Sequence, residues 1–334
     1  MTQHFFRGKR IMITGHAGFL GSRLAETLKN LGALNYGVDY REHIWYPYDA
    51  MFQKRRANFE AVFMADVTDY MEIERLIAEW RPDFIFHLAA ISQVVDAFHA
   101  PLHTYRTNVM GTANVLEAVR KSGLEVVTVV ASSDKAFGRT LKSIIAHEET
   151  PLNPFHPYDV SKAAADFIAR SYADIYGLRV GVTRCGNIYG PGDENWQRII
   201  PGAVRAFLND ETLVIRSNGG PRRIYNYVDD IVEAYLLVAE DLAEQDKNSG
   251  TSWTIAASND YYSVFEIVEL VEKALGGDKI RLDVLGGASE EESHLRLDAG
   301  KIIGDLGWLP QVSMSEGISA TAAWTIELFQ GRLP

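Results

Sequence analysis

The chain has 334 residues, 47% of them hydrophobic and 23% charged, with a net charge of −11 at neutral pH. That is enough length for a large core and a second lobe, the composition is that of an ordinary globular protein, and the acidic balance argues against a general nucleic-acid or membrane-surface role. The single cysteine, Cys185, excludes an internal disulfide and fits a reducing cytosol, where it is expected as a small buried apolar residue in a strand. The opening Met1–Gly8 is too short and polar for a signal peptide and no apolar run approaches membrane-spanning length, so a cytoplasmic location is expected.

The stretch from Lys9 to Leu24 organises the rest. Ile11, Met12 and Ile13 form a short apolar run, as a buried parallel strand would. Gly15, Gly18 and Gly21 follow, and Leu20, Leu24 and Leu28 then fall at helical intervals through Lys29. A glycine triplet alone is equally an ordinary tight turn. Between a strand and a helix it makes a cradle for a pyrophosphate, because backbone can approach closely and a helix N-terminus offers free N–H groups and partial positive charge. Phe19 and Leu20 belong to this cofactor set. Leu34–Val38 reads as a second strand ending at Asp39, about 20 residues beyond the glycines, where an acid accepts hydrogen bonds from an adenosine ribose. An acid there also repels a 2′-phosphate, which favours NAD over NADP, although the nearby Arg41 weighs against it.

Residues 41–59 lack clean periodicity and read as a loop or irregular helix. Val62–Ala65 is a third strand, with Asp66 and Val67 at its end as candidates for the adenine edge, and Tyr70–Trp80 has helical spacing. Pro82–Ala90 is a fourth strand running into small residues, Ala89 and Ala90, that would let a cofactor lie across the strand end, with Leu88 beside them in the cofactor set. A helix is expected over Thr107–Lys121, carrying Asn108, and a strand over Val126–Ala131. Strands alternating with helices at this rhythm imply a doubly wound parallel sheet with helices on both faces.

That strand ends in Ser132-Ser133-Asp134-Lys135, and polar groups at the carboxyl end of a parallel strand face the ligand crevice. Pro157 opens a helix to Tyr176 on which Tyr158 and Lys162 share a face. A nearby ammonium, together with the positive nicotinamide ring, favours phenolate and would make Tyr158 a usable base near neutrality. Val180–Thr183 is a further strand, and the turn Arg184–Gly192 leads into a second lobe. That lobe holds a helix after Arg198–Pro201, the strand Thr212–Arg216, and Arg222 and Arg223 in the turn that follows. The expected elements end with helices from Tyr227 to Leu242, over Val264–Leu275 and from Ser315, with a strand at Trp253–Ala256. His99 and His103 are four apart, but Pro101 lies between them and no glutamate follows His99, so no metal site is expected.

The glycine motif, the serine-tipped strand and Tyr158-x3-Lys162, in this order, resemble the extended short-chain dehydrogenase/reductase superfamily. Within it the chain is similar to the nucleotide-sugar epimerases and dehydratases, through His87–Ala90, Thr107–Thr112, Arg184–Gly190 and Leu306-Gly-Trp308-x-Pro310. The resemblance implies a catalytic set of Ser133, Tyr158 and Lys162, with Asn108 in support. It also implies substrate contacts from Asn187, Arg198 and Arg223, a nucleotide sugar as substrate, recycled NAD, and a homodimer formed through the helices containing Asn108 and Tyr158. Epimerases place small or hydroxyl residues after the catalytic serine or threonine, whereas 4,6-dehydratases place an acid and a second proton-transfer residue. Ser133-Asp134-Lys135 is similar to the CDP-glucose 4,6-dehydratases. Phe137-Gly138 and Tyr189-Gly190-Pro191 depart from that pattern, so the reaction class is better supported than the nucleotide. An epimerase or decarboxylase of the same superfamily would share everything but the roles of Asp134 and Lys135, and a non-catalytic NAD-sensing protein, which commonly lacks the Tyr–Lys pair, is the remote alternative. The implied architecture is a Rossmann domain over residues 1–183, with 226–245 returning to it, and a smaller α/β substrate lobe over 184–334.

Overall fold

The computed structural model describes residues 4–40, 55–139, 144–257, 261–277, 280–286 and 295–331. Arg41 and most of the expected 41–59 loop lie outside them. Seven strands form one sheet: β1 (Arg10–Thr14), β2 (Leu34–Asp39), β3 (Ala61–Met64), β4 (Phe84–His87), β5 (Val127–Ala131), β6 (Arg179–Cys185) and β7 (Ser252–Ile255). Their order is 7-6-5-4-1-2-3 and every neighbouring pair is parallel. The order reverses between β1 and β4, so the ligand crevice of a doubly wound sheet opens at the ends of these two strands.

Alternation along β1 feeds two cores. Ile11 and Ile13 pack with Leu24 and Leu28 of α1 (Phe19–Asn30) on one face, while Met12 packs with Ile73, Leu76 and Ile77 of α2 (Tyr70–Trp80) on the other. The helix Val228–Glu244 lies on the first face, against β5, β6 and α1. Its Asp230 accepts hydrogen bonds from the backbone of Gln311 and Val312, and its carbonyl accepts one from Trp308, which seats the Leu306–Pro310 motif. A separate apolar cluster forms around Ile200, Val204, Ile267, Val271 and Ile318.

The structure corrects several expectations. In place of one helix from Thr107, two short helices (Val94–His99 and Pro101–Tyr105) lead into a π-helical turn at Arg106–Met110, followed by an α-helix over Gly111–Ser122. The stretch Arg184–Gly192 is not all turn: β6 continues through Cys185, and Asn187–Tyr189 pairs with Tyr225–Tyr227. Arg222 and Arg223 form a two-residue strand against Tyr262–Ser263. These pairings are made by tertiary contact and are too short to leave a sequence period. Cys185 is buried in its strand, where burial pushes the thiol up to about 12 and leaves it inert. Among the described residues, no helix is long and apolar enough to cross a membrane, and no group of three or more His, Cys, Asp or Glu side chains could hold a metal ion.

Candidate active site

The glycine turn closes onto the end of β4. Gly15 has φ +73°, and a Cβ there would lie 2.7 Å from the Ala89 nitrogen and 2.9 Å from the Leu88 carbonyl carbon. A Cβ on Gly21 would lie 2.4 Å from the Gly15 oxygen, so α1 can start this close only with glycine. Gly18 caps α1 without a side-chain bond, leaving the Phe19, Leu20 and Gly21 amides to open the helix beside the half-buried Leu88, Ala89 and Ala90. Asp39 accepts a hydrogen bond from the Ala17 amide at 3.2 Å and so braces the turn. Asp66 is exposed and accepts from the Thr68 amide, and the buried Val67 sits against Gly111. This cradle fits the pyrophosphate of a dinucleotide: it is walled by backbone, and side chains are excluded from it.

A chain of hydrogen bonds runs from this cradle to the helix Pro157–Tyr176. Thr112 Oγ1 donates to the Asn108 carbonyl at 2.7 Å, so it must accept from His87 Nε2 at 3.0 Å. Burial lowers the His87 pKa to about 3 and keeps the ring neutral, so Nδ1 accepts from Thr14 Oγ1 at 2.8 Å, and Thr14 Oγ1 in turn accepts from the Ala89 amide. The ring is thus protonated on Nε2. Asn108, in the π-helical turn, accepts from the Ile91 amide and donates to the Ile91 carbonyl and to Ser161 Oγ. Its side chain thereby ties that turn to the helix Pro157–Tyr176. His87 and Thr112 were not singled out from sequence; a histidine closing an apolar strand is the visible signal.

At the end of β5 four of the expected catalytic residues are buried together. Ser133 caps a 3₁₀ turn over Asp134–Phe137, accepting from the Lys135 amide at 3.2 Å. Its hydroxyl donates to Asp134 Oδ1 at 2.9 Å, and Tyr158, on the helix packed against this turn, is buried as well. Burial raises the Asp134 carboxyl against the pull of Lys135 and Arg223. Lys162 Nζ donates to the Ala131 carbonyl at 2.9 Å, and burial lowers its pKa to about 8. Lys135 is half-buried at the mouth of the turn. The expectation that Lys162 would bring Tyr158 towards phenolate is corrected: burial outweighs every other influence and raises the phenol. Asp134 and Asp159 add to that rise, while Ser133 and Arg198 oppose it.

The arginines come from elements after β6. Arg223 is buried near Asp134, and one of its nitrogens donates to the Arg222 carbonyl. Arg222 is committed to Glu266 and the Tyr261 carbonyl. Arg198 donates to both oxygens of the buried Asp193 at 3.1 Å, with its guanidinium 6.0 Å from the Phe19 ring. Asn187 is exposed on its short strand. Sequence reasoning also passed over Arg184, which is fully buried. It makes a two-pronged pair with Asp166, one turn beyond Lys162, and its guanidinium stacks 5.2 Å from Phe137 at the end of the Asp134 turn. It therefore ties the helix Pro157–Tyr176 to that turn.

Residues 12–321 match the family model described as GDP-mannose 4,6 dehydratase. The CDP-glucose 4,6-dehydratase of Salmonella typhimurium is 29% identical over 338 residues, covering 96% of this chain and 92% of that protein. Among solved structures, the dTDP-glucose 4,6-dehydratase DesIV of Streptomyces venezuelae, with NAD bound, is 28% identical with a TM-score of 0.84, covering 95% of this chain and 97% of that one. The UDP-glucose 4-epimerase of Thermotoga maritima, with UDP-glucose, is 26% identical with a TM-score of 0.84, covering 96% and 99%. With its parallel seven-stranded sheet, its glycine cradle and a match over nearly its whole length, this chain belongs to the GDP-mannose 4,6 dehydratase family.

Proposed function

We propose that this protein is an NAD-dependent nucleotide-sugar 4,6-dehydratase, converting an NDP-hexose, with CDP-glucose favoured, to the NDP-4-keto-6-deoxyhexose. The observation that carries the reading is a buried carboxyl, Asp134, hydrogen-bonded to Ser133 and followed by Lys135, on a turn packed against the helix that bears Tyr158 and Lys162. An epimerase needs the serine, the tyrosine and the lysine of the helix, but neither Asp134 nor Lys135. NAD held on Gly15, Gly18, Gly21 and the α1 amides, with Asp39 at the ribose, would supply a hydride acceptor at C4 and a hydride donor at C6.

The chain's own residues handle the protons. Tyr158 takes the C4 hydroxyl proton, with Lys162 and Ser133 shaping its basicity. The ketone at C4 acidifies C5–H, which Lys135 removes while Asp134 protonates the departing C6 hydroxyl. Burial supports the acid role, since a raised carboxyl keeps a proton to give. Arg223 and Arg198 supply positive charge for the diphosphate, and guanidinium matches phosphate oxygens in pairs. In this reading residues 1–183 with 226–245 carry the cofactor and the remainder forms the substrate lobe, in a cytoplasmic homodimer.

Incubation with CDP-glucose, dTDP-glucose, UDP-glucose and GDP-mannose in turn, with detection of a 4-keto-6-deoxy product, tests the activity. A C4 epimer with C6 still hydroxylated overturns it. Nucleotide released on denaturation should be NAD; mainly NADP would overturn the role given to Asp39.

A further inference from the structure

Arg55 lies between β2 and β3, and Glu194 lies in the loop 190–198 that connects the strand Asn187–Tyr189 to the helix Ile199–Asn209. One Arg55 nitrogen, Nη2, donates to Glu194 Oε1 at 2.8 Å and to the Gly192 carbonyl at 3.4 Å. The two side chains are only 16% and 10% exposed. Ion pairs at the surface contribute little, but removing one partner of a pair withdrawn from water leaves a charge without compensation.

The loop held by this pair is seated on the glycine cradle. Gly192 is in the left-handed region at φ +95°, and a Cβ there would lie 3.8 Å from Arg55 Nη2 and 3.8 Å from ring carbons of Phe19. Phe19 is the first residue of α1, whose opening amides are the ones offered to a pyrophosphate. At the far end of the loop, Arg198 has its guanidinium 6.0 Å from the same ring and donates to Asp193. Asp193 and Glu194 are therefore adjacent acids, each held by an arginine, one from the loop itself and one from the segment after β2. Asp39 ends β2 and braces the glycine turn, so Arg55 reaches the loop from the cradle's own side of the chain.

We propose that the Arg55–Glu194 pair is a clasp that keeps the loop 190–198 over the start of α1 and slows the escape of a bound dinucleotide. This rests on the cofactor reading given above. A pyrophosphate on the α1 amides is bordered by Phe19 and by the loop lying on its ring, so its departure requires the loop to lift. Lifting breaks the ion pair, which raises the barrier to release. Neither side chain handles a proton or a hydride in the reaction, so the effect falls on retention of the cofactor and not on the chemistry.

Exchange of bound dinucleotide for labelled NAD, followed on the purified protein, tests the clasp. Glu194→Gln keeps the shape of the side chain without its charge, and Arg55→Met keeps much of the stem without the guanidinium. Each should release dinucleotide about 10-fold faster or more, the scale of a lost charge-assisted hydrogen bond. Both remove the same pair, so the double variant should release no faster than the faster single. Arg55→Lys, which keeps the charge, should fall closer to wild type, and with NAD saturating all variants should turn over near the wild-type rate. If Arg55→Met does not fold, Glu194→Gln and Arg55→Lys supply the same comparison. A lowered melting point with an unchanged release rate would make the pair a structural tie alone, overturning the clasp while the cofactor reading stands. A wild type that releases no dinucleotide on denaturation overturns the cofactor reading, and the clasp with it.

Discussion

The glycine turn and the arginine-bearing strands that face it hold their polar groups in different ways. On the sheet side, Thr14, His87, Thr112, Asn108 and Ser161 form one unbroken hydrogen-bond chain in which every donor has a fixed acceptor. On the other side, Arg198 shares one nitrogen between two oxygens of Asp193, and Arg223 has an NH1 bond to the adjacent backbone carbonyl. A neutral network saturated in this way cannot rearrange without leaving a buried group unsatisfied, whereas the two guanidiniums carry charge that a diphosphate can draw on. The contrast suits a cofactor kept through each cycle and a diphosphate substrate that comes and goes.

The most direct way to break the rigid side is Gly15→Ala. A left-handed alanine costs about 1–2 kcal/mol by itself, and its Cβ would also press on the Ala89 nitrogen. Purified Gly15→Ala should carry little or no dinucleotide, as read by the nucleotide released on denaturation; full occupancy would contradict the cradle.

Acid sharpens the same contrast. His87 and His16 are buried with pKa values lowered to about 3 and about 4 from 6.5. The unfolded chain therefore binds more protons than the folded one as pH falls below 6.5. Stability should drop through that window by up to about 1.4 kcal/mol per pH unit for each histidine. Urea unfolding at a series of pH values checks this, and a flat profile from pH 6.5 to 4.5 would contradict both burial assignments.

Arg223→Ala tests the charged side. Losing a charge-assisted pair costs about 1.5–3 kcal/mol, so KM for the nucleotide sugar should rise on the order of 10–100-fold with dinucleotide affinity unchanged. An unaltered KM would remove Arg223 from the substrate.

The smallest effect is one of stability. Asp134 has its carboxyl pKa raised by burial, so ionisation above the unfolded value of about 3.9 disfavours the folded state. Asp134→Asn should melt higher than wild type at neutral pH, with the advantage shrinking as pH falls towards that value. A lower melting point at neutral pH would mean the carboxylate is better satisfied than its surroundings imply.

Where several local signals agreed, the sequence could be read closely. Pro157–Tyr176 has a proline at its start and Gly177 at φ +68° past its end, and Tyr70–Trp80 is capped by Asp69. The glycine spacing and the serine-tipped strand marked the crevice because backbone demands of this kind leave residues that no other function explains. Residues 94–110 were illegible: two helices shorter than two turns and a π-turn have no sustained period. Arg184 looked like any charged strand-end residue, since only the fold reveals Asp166 and Phe137 around it. Tyr158 was misjudged for a related reason. Its lysine neighbour is visible in the spacing, but its burial is not.

The central claim is that Asp134 and Lys135 divide dehydration from simple oxidation, and rapid mixing of Asp134→Asn and Lys135→Met with the nucleotide sugar tests it most directly. Asparagine keeps the shape but cannot release a proton to the leaving hydroxyl; methionine keeps most of the lysine stem without the amine. Both variants should show the reduced-cofactor absorbance of C4 oxidation at close to the wild-type rate. Product should then form about 10²–10⁴-fold more slowly. Turnover at the wild-type rate in both variants, or oxidation abolished along with product, would contradict it.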